Sequence, residues 1–190
     1  EGFQANAVRV IRVAGTSGER RRKWRALDME KENIFGVYAE LSTMPLALTD
    51  PDHLPRHPFM DMKMFRKMRT AGIPVAVFYR DVYWRFPQYK KEVHPVKRRV
   101  AEFFYHLELR QMVRSVSHLF LPSLRMFPEI PGNFPLSRVS ALPPGGETRP
   151  IRRKTDSKPL ALLYVGGVLP PLYDLSPVFD ALRSVPAVFL

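Results

Sequence analysis

Arg80-Asp81-Val82-Tyr83-Trp84 is the segment best equipped for chemistry. An aspartate can orient or deprotonate a hydroxyl, and an arginine can grip a phosphate or carboxylate with two parallel hydrogen bonds. Tyr83 and Trp84 have rings that stack on the apolar face of a sugar while a polar edge stays wet. Glu40-Leu41-Ser42-Thr43 offers a second carboxylate beside two hydroxyls. Two glycine pairs, Gly145-Gly146 (followed by Glu147) and Gly166-Gly167, are places where backbone can approach a ligand closely. Each group also has a purely structural alternative. Arg80 and Asp81 can pair to cap a sheet, Glu40 can sit in a helix cap or turn, and the glycines can be ordinary turns.

The elements that must position these groups follow from periodicity. Five of the six residues 73–78 are apolar, and they do not alternate. Such a run reads as a parallel strand covered on both faces. Ligands of open α/β sheets bind beyond the carboxyl ends of strands, where Arg80–Trp84 would lie. A second strand over residues 33–39 ends at Glu40, and parallel pairing brings the two sites to one edge. Further strands are expected at 7–13, 117–122, 138–142, 160–165 and 187–190. Helices are expected at 61–71, stopped by Gly72, at 95–116, briefly at 124–127 and near 177–183. Val96, Val100, Phe103 and Leu107 form a stripe at helical spacing on the long helix. Residues 15–25 and 49–58 read as loops.

The pattern is α/β. Residues 1–147 form a Rossmann-like parallel-sheet domain, 148–159 a charged linker with two prolines, and 160–190 the opening β-α-β of a second Rossmann-like domain. That last piece is too small to fold alone. The chain begins Glu1-Gly2-Phe3-Gln4 and reads as a piece of a longer protein whose first strand is missing.

Composition narrows the classes. With 190 residues, 45% hydrophobic, a sizeable core is available. No cysteine is present, so disulfides and thiolate metal sites are excluded, which fits a cytoplasmic protein. The net charge of +12 attracts polyanions. The cations cluster at Arg20-Arg21-Arg22-Lys23 with Arg25, at Lys90-Lys91 with Lys97-Arg98-Arg99, and at 149–158. The second cluster reads either as a solvated helix face or as a contact with an anionic membrane surface, with the protein peripheral on its inner face. A basic nucleic-acid-binding α/β protein is the rival, although the aromatics are not interleaved with the basic clusters. No metal is expected. Asp50-Pro51-Asp52 falls in a proline-rich turn, and the five histidines lack ligand spacing. Gly15-Thr16-Ser17-Gly18 lacks the lysine of a phosphate loop and reads as a turn.

Over most of its length the chain resembles GT-B glycosyltransferases of the broad group that includes family 4. The strand running into Arg80–Trp84 looks like an acceptor-domain strand ending at the cleft. Ser117-His118-Leu119-Phe120-Leu121-Pro122-Ser123 is similar to the family's strand leading to a serine. Leu142-Pro143-Pro144-Gly145-Gly146-Glu147 is similar to its Pro-Asn-Gly-Val-Asp turn. Leu160-Ala161-Leu162-Leu163-Tyr164-Val165-Gly166-Gly167 looks like the first donor-domain strand. Pro144, Glu147 and Gly167 depart from the family pattern. The resemblance implies a metal-independent, retaining hexosyltransferase that needs no cofactor and moves sugar from a nucleotide-sugar to a glycan, lipid-linked or small-molecule acceptor. Asp81 and Glu40 would be catalytic. Arg80, Tyr83, Trp84, Ser42 and Thr43 would bind acceptor, and Gly145, Gly146, Glu147, Gly166 and Gly167 would bind donor. Such a piece, lacking half its donor site, is expected to be inactive alone.

Overall fold

The computed structural model describes residues 8–143, 145 and 174–183. The chain divides into two compact units, Glu1–Gly145 and Gly146–Leu190. Among the described residues the first holds four short strands: β1 (Val37–Glu40), β2 (Val75–Phe78), β3 (His118–Leu121) and β4 (Val139–Ala141). They form one sheet in the order β1-β2-β3-β4, every pair parallel. Glu40 stands opposite Phe78, and Phe78 opposite Phe120, so all four carboxyl ends open at one edge. Helices α1 (Ser17–Ala26), α2 (Met60–Thr70), α3 (Pro87–Glu92) and α4 (Pro95–Ser115) complete this unit. The described part of the second unit includes helix α5 (Ser176–Arg183). Among the described residues no helix is long and apolar enough to cross a membrane.

The core lies between the sheet and a helix layer. Val75, Val77, Leu119 and Leu121 are wholly buried on one sheet face, with Met68 of α2 and Met112 of α4 equally buried in the same cluster. Trp24 of α1 meets Phe65 of α2 edge-to-face at 6.2 Å. The opposite sheet face is covered less than the unbroken apolar run of 73–78 suggests. Ala76, Phe78, His118, Phe120 and Ser140 are only half-buried, and Tyr38 is 51% exposed. Parallel sheets are ordinarily covered on both faces.

Two helix ends show how sequence sets the boundaries. Gly72 follows α2 with φ +82, a conformation that favours glycine. Its N–H donates to the Arg69 carbonyl at 3.1 Å and the Ile73 N–H to that of Met68 at 3.0 Å, a Schellman ending. Residues 15–25, expected as a loop, are instead largely α1. Thr16 caps it: Thr16 Oγ1 accepts from the Glu19 N–H, and the Glu19 carboxylate accepts from the Thr16 N–H. This capping box overrides the turn character of Gly15 and Gly18. Residues 8–13, expected within a strand, have no regular structure, and Val10 and Ile11 are exposed there.

The basic cluster in α1 is not wholly superficial. Arg20 is 7% exposed. Its guanidinium donates to both oxygens of Asp61, to the carbonyls of Gly15 and Leu46 and to Thr49 Oγ1. Asp61 also accepts from Trp24 Nε1 at 2.9 Å. Asp50 accepts from both the N–H and the hydroxyl of Ser17 at 2.6 Å, and these bonds hold its carboxyl below the usual range. A buried charge with this many partners is a fastener between elements rather than a surface cation.

Candidate functional site

The site is assembled from the loops leaving β1 and β2, and α4 holds both. After β1 the chain runs through Ser42 and Thr43 into a 3-10 turn at Leu46–Leu48. After β2 it runs through Arg80 and Asp81 into a 3-10 turn at Tyr83–Arg85. Asp81 joins the two. Its Oδ2 accepts from Thr43 Oγ1 at 3.0 Å, and its Oδ1 accepts from the Tyr83 N–H at 3.0 Å. The second bond is an aspartate turn that starts the 3-10 segment.

Tyr105 of α4 anchors both loops from beneath. Its hydroxyl donates to the Thr43 carbonyl at 2.5 Å. Its ring stacks on Trp84 with centroids 5.0 Å apart and planes 11° from parallel. One turn further along α4, Glu108 accepts the Leu46 N–H at 2.7 Å. Burial pushes Glu108 up to about 8, with Asp61 adding to the effect. Tyr105 and Tyr79 are raised as well, chiefly by burial, so both phenols stay protonated and can donate.

Trp84 requires a correction. The sequence gives it an acceptor-binding role, but it is 3% exposed. One face is stacked on Tyr105, His106 meets it edge-on at 5.1 Å, and its Nε1 donates to Tyr79 Oη at 3.3 Å. No ring face remains for a ligand. Tyr83 is half-buried and donates its hydroxyl to Glu92 at 2.5 Å, a bond that raises the phenol.

The other expected residues fall as follows. Arg80 is exposed, and Asp81 bonds to Thr43 and Tyr83 rather than to it. Glu40 is exposed at the end of β1, on the less covered sheet face with Tyr38. Ser42 folds back, its hydroxyl donating to the Met44 carbonyl at 3.0 Å. Gly145 is exposed shortly after β4. Gly146, Glu147, Gly166 and Gly167 lie outside the described residues, as do the linker and the strands expected at 160–165 and 187–190. Sequence reasoning missed Tyr105, Glu92 and Glu129, whose carboxylate pairs with Arg85 at 3.3 Å and ties the loop after β2 to that after β3. The phase of Tyr105 on α4, opposite the Val96–Phe103 stripe, was the available signal.

No family model, curated protein or solved structure matches the chain. Its chemistry must be argued from these side chains. Among the described residues no three His, Asp or Glu form a group that could hold a metal ion. Asp50 is buried against Ser17, and Asp52 pairs with Arg56 at 2.5 Å. What the edge presents is a carboxylate fixed at both oxygens, the exposed Arg80 that precedes it in the chain and the exposed Glu40. A carboxylate has about four acceptor positions, so two remain on Asp81 for an incoming hydroxyl.

Proposed function

We propose that this chain belongs to a glycosyltransferase that moves a sugar from a nucleotide-sugar to an acceptor hydroxyl. Asp81 orients and partly deprotonates that hydroxyl. Arg80 holds an anionic group of the acceptor or the departing diphosphate, while Glu40 is a second carboxylate at the same edge and Tyr83 borders the acceptor. Gly145, with Gly146, Glu147, Gly166 and Gly167, belongs to the donor side. In such a transfer positive charge develops at the sugar carbon and negative charge on the leaving phosphate. The protein must therefore fix geometry and supply donors rather than form new bonds of its own.

The observation that supports this most is the Thr43–Asp81 bond at the carboxyl edge of a parallel sheet. It locks a carboxylate where open α/β sheets bind ligands. The test is transfer from labelled nucleotide-sugars to glycan and lipid acceptors by the intact parent protein, wild type against Asp81→Ala. Loss of a positioned general base costs about 10²–10⁴-fold in kcat. An unchanged kcat removes Asp81 from the mechanism. No transfer and no nucleotide-sugar binding by the intact protein refutes the assignment.

A further inference from the structure

The outward side of α4 is built in an unusual way. At about 100° per residue, Val96, Val100, Phe103, Leu107, Arg110 and Arg114 fall within about 80° of one another. The inward side carries Ala101, Tyr105, Glu108, Leu109 and Met112, all buried. The outward stripe would ordinarily be polar. Instead Val96 is 64% exposed, Val100 44% and Phe103 61%. The first half of the stripe therefore points to solvent.

Charge continues the same line. Arg110 and Arg114 are exposed and border a groove with Lys63 and Arg66 of α2. Lys97 and Arg99 flank the apolar half and are exposed too. Neither helix offers a free carboxylate to these six cations. Asp61 and Glu108 are buried, and Glu102 pairs with Arg98 at 3.8 Å. That pairing removes Arg98 from the basic surface the sequence assigned to it.

We propose that this face of α4 and α2 docks on an anionic membrane, with Val96, Val100 and Phe103 entering the headgroup–acyl boundary and the six cations meeting lipid phosphates. An apolar stripe lined by unpaired lysine and arginine is the pattern of a helix lying in a membrane interface. At 21 residues α4 is about 30 Å long, enough to lie along the surface. A nucleic acid would satisfy the cations but not the stripe. Bases stack on aromatic rings, and Val96 and Val100 provide none. Docking needs none of the sugar-transfer chemistry, and its test reads lipid binding alone.

The experiment is cosedimentation of the full chain with vesicles of phosphatidylcholine alone and of phosphatidylcholine mixed with phosphatidylglycerol. Binding is expected only to the mixed vesicles. Arg110→Glu with Arg114→Glu is expected to weaken it by at least about tenfold, as is Phe103→Glu. All three positions are exposed, so the fold should persist, and far-ultraviolet circular dichroism checks this. Phe103→Trp supplies a gain of signal: its emission should shift to shorter wavelength on the mixed vesicles, since the native Trp24 and Trp84 are buried. Four results overturn the proposal. One is no binding to the mixed vesicles, and a second is equal binding by Phe103→Glu. The third is a dimer broken by Phe103→Glu, and the fourth is single-stranded RNA bound in a gel shift more tightly than the vesicles.

Discussion

Replacing Glu108 by glutamine should remove most of the loss of stability that the wild type undergoes between about pH 5 and about pH 8. The carboxyl is buried, and its value in the folded chain is about 8 against an ordinary 4.5. A raised carboxyl binds its proton more tightly folded than unfolded. Its stabilising contribution is therefore complete below the unfolded value and disappears as pH climbs through the folded one. The interval spans about three and a half pH units at about 1.4 kcal/mol each, so at most about 5 kcal/mol is lost across it. Glutamine keeps an oxygen for the Leu46 N–H, now 2.7 Å from the carboxylate, and cannot ionise. The cost of lodging its amide N–H groups falls equally at every pH.

Urea unfolding of wild type and Glu108→Gln at about pH 5 and about pH 8 gives the contrast. The wild-type midpoint should fall with rising pH, and the variant's should fall far less. The other shifted carboxyls do not interfere. Asp50 and Asp52 are lowered by hydrogen bonds, from Ser17 and Arg56 respectively, and Asp52 lies at about 2. Depressed groups lend stability above their unfolded values and lose it only as the solution turns more acidic than this window. Parallel pH curves for the two proteins would refute the reasoning, since Glu108 would then ionise without penalty.

Two further outcomes are expected from the same unfolding assay. Trp84→Ala should cost about 3–5 kcal/mol, because a buried ring stacked on Tyr105 is removed and a cavity left. Trp84→Phe should cost less, and a variant with altered acceptor affinity but unchanged stability would restore Trp84 to the ligand surface. Thr16→Ala should cost about 1 kcal/mol by removing the α1 cap, and Thr16→Ser should recover most of it; no change with alanine would mean that the bonds of Ser17, Arg20 and Trp24 to Asp50 and Asp61 hold α1 without the cap.

Local pattern carried much of the fold. The run at 73–78 reads as a strand because apolar residues fill both of its faces, and β2 forms inside it. Residues 61–71 with Gly72 read as a helix with a stop, and the left-handed turn forms at Gly72. The α1 signal was also local, since Thr16 and Glu19 have capping-box spacing. Here composition misled: a run of arginines just after two glycines resembles a solvated loop, and the burial of Arg20 depends on Asp61, 41 positions away.

The site was legible to the depth of its edge and no further. Parallel order alone brings the ends of β1 and β2 together, so Glu40, Thr43, Arg80 and Asp81 could be named without knowing any contact. Which of these residues faces a ligand is decided by α4, and a periodic stripe does not say which of two helix faces turns inward. On α4 the apolar stripe at Val96, Val100 and Phe103 turns out, while the face with polar atoms, Tyr105 and Glu108, turns in. It does so because those atoms have work there: the Thr43 carbonyl needs a donor and the Leu46 N–H an acceptor once both loops are covered. An unpaired buried backbone group costs about 1–3 kcal/mol, comparable with the burial of one aliphatic side chain. Satisfying two of them offsets leaving a valine or two in water. With Tyr105 turned in, Trp84 has a ring to stack on and leaves the surface, while Asp81 stays at the edge, held by Thr43 and the Tyr83 N–H.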